Sequence, residues 1–143
     1  MNENLIRPSN SNANQLQDTV NSYRALIAAS GIGAWEYDIN TGYLNCNDIY
    51  FAMLGITVEG HSAKHDLENA WINLLHPDDS VAAQEKFRDF IEGKNLENYE
   101  NFFRLKSNLK EWIWIWSRGK ILKDSHGKPE RAIGTHLDVT AQK

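Results

Sequence analysis

Cysteine occurs once in the 143 residues, at Cys46, which excludes an intramolecular disulfide and a cysteine-based zinc cage. No apolar run approaches the roughly 20 residues that cross a bilayer, so no membrane contact is expected within this segment. The N-terminus carries Asn2, Glu3 and Asn4 where a secretory leader would have a basic start and an apolar run. Nucleophile and phosphate motifs are missing as well. There is no Gly-x-Ser-x-Gly elbow, and Gly31-Ile32-Gly33 precedes a strand pattern and lacks a following Gly-Lys-Ser or Gly-Lys-Thr. The expectation is a cytoplasmic, non-catalytic chain, with any catalytic domain of a parent protein elsewhere.

What is present describes one ordinary soluble domain: 41% hydrophobic residues, 24% charged and 10% aromatic, with five tryptophans. A net charge of −4 argues against a generic DNA-binding surface. That average hides a contrast, because residues 1–103 hold 6 basic and 15 acidic side chains whereas residues 104–143 hold 9 and 4.

Residues 1–13 are polar and rich in Asn and Ser, and read as a tail or linker. Over residues 14–30 a helical stripe appears, Leu16, Val20, Tyr23 and Ile27, stopped by Gly31. The stripe suits either docking on its own domain or a short coiled-coil seam with a second copy. Beyond Gly33 the period changes to two: Trp35, Tyr37 and Ile39 alternate with Ala34, Glu36 and Asp38, and Asn40-Thr41-Gly42 turns the chain into Tyr43 and Leu44, a hairpin. Asn47 can cap a short helix over 48–54, residues 56–65 look irregular, and a second short helix is expected around 67–75. His76-Pro77-Asp78-Asp79 opens a longer helix that Gly93 ends, and the last fifty residues read as three strands, near 99–106, 111–123 and 130–139. Without βαβ alternation, the order implies an α+β fold in which helices segregate to one side of an antiparallel sheet.

Several fragments in this order resemble one family. They are Ser30-Gly31-Ile32-Gly33-Ala34-Trp35-Glu36-Tyr37-Asp38, Met53-Leu54-Gly55, Leu74-Leu75-His76-Pro77-Asp78-Asp79, Tyr99-Glu100 with Phe103-Arg104-Leu105, Trp112-Ile113, Arg118-Gly119, Gly127-Lys128-Pro129, Gly134-Thr135 and Asp138-Val139-Thr140. Residues 24–140 resemble a PAS domain of the PAS-fold-3 kind with its C-terminal PAC motif. Asn108-Leu109 departs from the Asp-Gly usual in the hairpin of that family. The resemblance implies a five-stranded antiparallel sheet with short helices across one face, enclosing a pocket that some members fill. It places the PAS/PAC domain at 31–140 and the start of an output linker at 141–143. It also implies a sensory and dimerisation module of bacterial signalling, beside a sensor histidine kinase of a phosphorelay or a cyclic-di-GMP enzyme.

Each chemical candidate has a plainer alternative. His76 beside Asp78 and Asp79 could serve a metal or acid–base chemistry, but proline at the first helical position and acids in the first turn are what a helix N-terminus favours, so capping is the preferred reading. His61 and His65 lie four apart in an apparent loop and read as solvated, so no metal site is expected. No histidine matches a haem ligand of the family, and Cys46 in Leu44-Asn45-Cys46-Asn47 is not the photochemical cysteine motif, so neither haem nor flavin is predicted.

Candidate pocket residues are Trp35, Tyr37, Tyr50, Met53, Trp71, Phe87 and Phe103, with Asn101, His136 or Glu36 to orient a small-molecule ligand; the alternative is that they simply fill a core. Asp138 and Thr140 are the expected signal output. In Trp112-Ile113-Trp114-Ile115-Trp116 both alternating sets are apolar, so both sheet faces should be covered. The expected outer face carries Ile113 and Ile115 and meets the stripe Leu16, Val20, Tyr23, Ile27 in a homodimer. Two other readings remain. One is single-stranded nucleic-acid binding by the basic aromatic sheet, which is not the expected partner class. The other is a small cavity enzyme using Glu36 or Asp38.

Overall fold

The computed structural model describes residues 9–57, 64–93 and 98–142. It divides into two compact units, one ending at Gly31 and one beginning at Ile32. The first is helix α1, Ser9–Ser30. It begins five residues before the apolar stripe predicts, over serines and asparagines that are middling helix formers and carry no periodic signal. Gly31, at φ 72°, supplies the left-handed residue after its last turn.

In the second unit the strands are β1 (Gly33–Asp38), β2 (Tyr43–Cys46), β3 (Lys64–Asp66), β4 (Tyr99–Lys106), β5 (Trp112–Lys123) and β6 (Pro129–Asp138). All pairings are antiparallel, in the order β3-β2-β1-β6-β5-β4. The sheet thus has six strands, not five. The extra strand, β3, is three residues long and falls at the end of the segment expected to be irregular. The helices are α2 (Asp48–Ala52), α3 (Leu67–Ala70) and α4 (Pro77–Ile91), and a 3₁₀ turn over Ile72–Leu74 replaces the second half of the helix expected at 67–75.

Local chemistry explains the junctions. Asp38 Oδ1 accepts from the N–H groups of Asn40 (2.9 Å) and Thr41 (3.1 Å), closing the β1–β2 turn. In the β4–β5 hairpin the left-handed position falls on Lys110 (φ 62°), while Ser107 Oγ accepts from Leu109 and Glu111 N–H and the Asn108 N–H is anchored on the Leu54 carbonyl at 2.9 Å. That anchoring lets the hairpin close without the Asp-Gly usual at this point.

Alternation along the strands decides which face is core. Tyr99, Asn101, Phe103 and Leu105 of β4 are buried, as are Ile115 and Ser117 of β5, with Ile113 packed against the same cluster. Ile113 and Ile115 therefore belong to the inner face and not to the outer face expected for them. The outward residues are Trp112, Trp114 and Trp116. Opposite these stand Lys106, Arg104 and Phe102 of β4. Arg104 lies 4.8 Å from the Trp114 ring, Lys106 5.9 Å from Trp112 and Arg118 4.2 Å from Trp116, and Phe102 stacks on Trp116 at 5.9 Å. The second face is covered in part by its own cations.

Two glycines make room for Trp35. A Cβ on Gly134 would collide with the Trp35 ring and the Arg118 carbonyl, and one on Gly119 would sit 2.9 Å from the same ring. The indole thus lies against bare backbone of β5 and β6. At the far margin of the sheet, the free edge of β4 is occupied at Arg104 and Leu105 by the chain leading into α4. Leu75 bridges Leu105, His76 N–H donates to the Arg104 carbonyl (3.0 Å), and Arg104 N–H donates to Asp79 Oδ2 (2.9 Å).

Candidate functional site

Between the inner sheet face and the helices lies a cavity of ≈ 20 Å³, lined by Trp35, Leu44, Tyr50, Leu67, Trp71, Phe87, Tyr99, Ser117 and His136. Each element contributes by its own periodicity: Trp35 from β1, Tyr50 from α2, Phe87 from the buried stripe of α4, and Ser117 and His136 from facing positions of β5 and β6. Of the seven side chains expected in a pocket, Trp35, Tyr50, Trp71 and Phe87 line it. Phe103 is fully buried just behind, 5.4 Å from the Trp71 ring and 5.5 Å from His136. Tyr37 and Met53 are partly buried at the edge of the core. Tyr99 and Ser117 carry no pattern distinguishing them from other strand residues, and only the register of β4 to β5 brings them inward.

The lining is aromatic and largely edge-to-face. Phe87 meets Trp71 at 5.4 Å and Tyr37 at 5.2 Å, and Tyr50 stacks on His136 at 4.6 Å. Its polar groups divide into satisfied and unsatisfied. Tyr50 OH donates to the Ala70 carbonyl (3.0 Å), and Asn101 Nδ2 bonds the Ala83 carbonyl (3.1 Å) and Tyr99 Oη (2.7 Å). Trp35 Nε1, Trp71 Nε1 and His136 Nδ1 are buried with no hydrogen-bond partner among the described residues. Burial raises the Tyr50 and Tyr99 phenols and pushes the His136 imidazole down to about 3, so His136 is neutral at physiological pH. Of the other polar residues expected to orient a ligand, Asn101 is committed to structure. Glu36 sits half-exposed in an ion pair with Arg131 (3.0 Å).

Against this geometry, known proteins are informative. The family model described as PAS fold (PAS_3) matches residues 43–136. The chain belongs to the PAS family. A 91-residue stretch is 33% identical to the two-component sensor PprA of Pseudomonas aeruginosa, covering 63% of this chain and 9% of PprA. The sensor protein FixL of Bradyrhizobium diazoefficiens is 26% identical over 121 residues, 85% of this chain and 23% of FixL. This chain therefore spans less than a quarter of either curated relative. A sensory box histidine kinase/response regulator structure from Burkholderia thailandensis shares the fold, with TM-score 0.68 and 22% identity over 84% of this chain and 86% of that one.

Within the PAS domain, the remaining candidates resolve individually. His76 is an N-cap: its Nδ1 accepts from Asp78 N–H at 3.0 Å, with Pro77 at the first helical position. Asp79 does more than face the helix dipole. Its two oxygens take Arg104 Nε and a terminal nitrogen, both at 2.9 Å, and the Arg104 guanidinium holds its carboxyl below the usual carboxylate range. His65 is a strand residue against Phe51 (5.0 Å) and not a solvated loop histidine; His61 lies outside the described residues. Among the described residues no group of three or more His, Cys, Asp or Glu could hold a metal, and no helix is long and apolar enough to cross a membrane. Cys46 is buried, and its thiol is pushed up to about 12 by desolvation.

At the end of β6, Asp138 Oδ1 accepts from Thr140 Oγ1 (2.6 Å) and Thr140 N–H (2.9 Å), and Trp114 N–H donates to Thr140 Oγ1 (3.0 Å). The last strand is thereby locked to β5 where the chain leaves the sheet.

Proposed function

We propose that this PAS domain is the sensory input of a bacterial signalling protein, a sensor histidine kinase of a phosphorelay, working on the cytoplasmic side and regulating a catalytic domain held elsewhere. The aromatic cavity is the input and Asp138 with Thr140 the output. One observation carries this reading: both lie on β6, where His136 lines the cavity and Asp138, two residues on, holds Thr140 against β5. A change around His136 has one residue to cross before it reaches the chain's exit from the sheet. The sensor names of PprA and FixL support a sensor parent.

We further propose a homodimer. The α1 stripe of Leu16, Val20, Tyr23 and Ile27 follows a four-three-four spacing, with Leu16 and Tyr23 each more than 60% exposed (67% and 63%), which suits a two-stranded seam between copies. The aromatic faces of the outer sheet do not favour a nucleic-acid platform, because Arg104, Lys106 and Arg118 already stand over them.

The output assignment is tested in a sensor kinase carrying this domain. Asp138→Asn and Thr140→Val should leave the domain cooperatively folded, as judged by thermal melting, while changing the autophosphorylation rate several-fold. A wild-type rate from a folded variant would overturn it.

A further inference from the structure

The wall of the cavity between sheet and helices is almost wholly apolar. Its hydroxyls are turned to protein partners: Tyr50 OH donates to the Ala70 carbonyl, and Tyr99 Oη meets Asn101 Nδ2 (2.7 Å) and the Ser117 side chain. The nitrogens Trp35 Nε1, Trp71 Nε1 and His136 Nδ1 are buried and open almost no surface onto it. A buried water is held by about two to four polar partners, and this wall supplies hardly any. No lining residue is an acid, a lysine or an arginine, so an ion would be buried without a counter-charge. The volume of ≈ 20 Å³ admits a guest of about one or two heavy atoms. What the wall favours is therefore small, uncharged and apolar, held by dispersion against the rings of Trp35, Trp71 and Phe87.

We propose that the cavity binds an apolar diatomic gas, a molecule of the size and polarity of dioxygen, directly against its aromatic wall. The proposal rests on the reading of this cavity as the sensing site and supplies the class of its guest. Leu67 is the way in. The other eight lining residues are buried, whereas Leu67, the first residue of the four-residue α3, is partly exposed, so its side chain is the part of the wall nearest to solvent.

The full chain with carbon-13 labels in its leucine methyl groups is placed under dioxygen pressure, where the paramagnetic gas speeds the relaxation of the methyls it visits. Leu44 lines the cavity, while Leu54 and Leu105, at 0% and 1% exposure, are equally buried but away from it. The expected result is a relaxation enhancement several-fold larger at Leu44 than at Leu54 or Leu105. Leu67→Phe, which fills the cavity from its entrance, should bring Leu44 down to the level of the other two. If that variant loses its methyl dispersion, competition on the wild-type chain decides: added dinitrogen should lower the enhancement at Leu44 and leave Leu54 unchanged. Equal enhancement at all three leucines would overturn the proposal, and so would a long-lived water beside the Leu44 methyls that gas pressure does not displace. Either result leaves the sensing reading standing. That reading fails separately, in a sensor kinase carrying this domain: a folded Leu67→Phe variant with the wild-type autophosphorylation rate would overturn the input role and leave gas binding intact.

Discussion

His136 shows how one side chain can carry a pH dependence. Its folded-state value of about 3 lies below the ordinary 6.5 because burial penalises the imidazolium. Above pH 6.5 neither folded nor unfolded chain binds this proton, and the residue costs nothing. As pH falls below 6.5 the unfolded chain protonates first, and stability declines by up to about 1.4 kcal/mol per pH unit until about pH 3. Asp79 acts in a lower window. Held below 3.8 by Arg104, it stabilises the fold above that value and loses its contribution as pH falls through its lowered one. Urea unfolding across this range should show a decline between pH 6.5 and 4 that His136→Phe abolishes, with the acid limb below pH 4 retained. An unchanged slope in the variant would assign the decline to other groups.

At the scale of elements, Asn47 ties α2 to β1. Its Oδ1 accepts from Tyr50 N–H (3.0 Å), the cap bond, and from Ala34 N–H (2.9 Å), while its Nδ2 donates to the Ile32 carbonyl (3.2 Å). Asn47→Ala should cost about 3 kcal/mol, a cap plus two tertiary bonds, read as a lower urea midpoint at constant slope. Asn47→Asp keeps the acceptor and should lose less. The cap was legible in the sequence, but the two bonds across the hairpin, to Ala34 and Ile32, were not.

The same boundary recurs elsewhere. Period-two alternation reveals β1, and the turns at residues 107–110 and 124–127 mark off β4, β5 and β6, whereas Lys64-His65-Asp66 is too short to alternate and becomes a strand only by pairing with β2. The order of the capping residues His76-Pro77 predicts the start of α4, but nothing local links Asp79 to Arg104, 25 residues on. In the tryptophan run both parities are apolar, so hydrophobicity cannot choose the inner one. Ser117, buried in phase with Ile113 and Ile115, and the cations of β4 opposite the tryptophans choose it, and both require the register. For the same reason the large aromatics of the cavity could be named from sequence, while Tyr99 and Ser117 could not.

For the whole molecule, the proposed association through α1 makes a direct prediction. Light scattering of the full chain should report a dimer, and a chain lacking residues 1–28 should report a monomer whose PAS domain melts as before. A dimer surviving that deletion would move the contact to the sheet.

The margins of that sheet bear on how copies can meet. An exposed edge strand invites strand addition and, with it, runaway aggregation. Here one margin ends in the three-residue β3, too brief to template a neighbour, and the C-terminal part of the other has its backbone groups at Arg104 and Leu105 taken by Leu75, His76 and Asp79. An incoming strand would have to strip the entry of α4 from β4 and break the ion pair between Asp79 and Arg104 first. That barrier protects the fold at high local concentration, because copies can gather side by side without their sheets fusing.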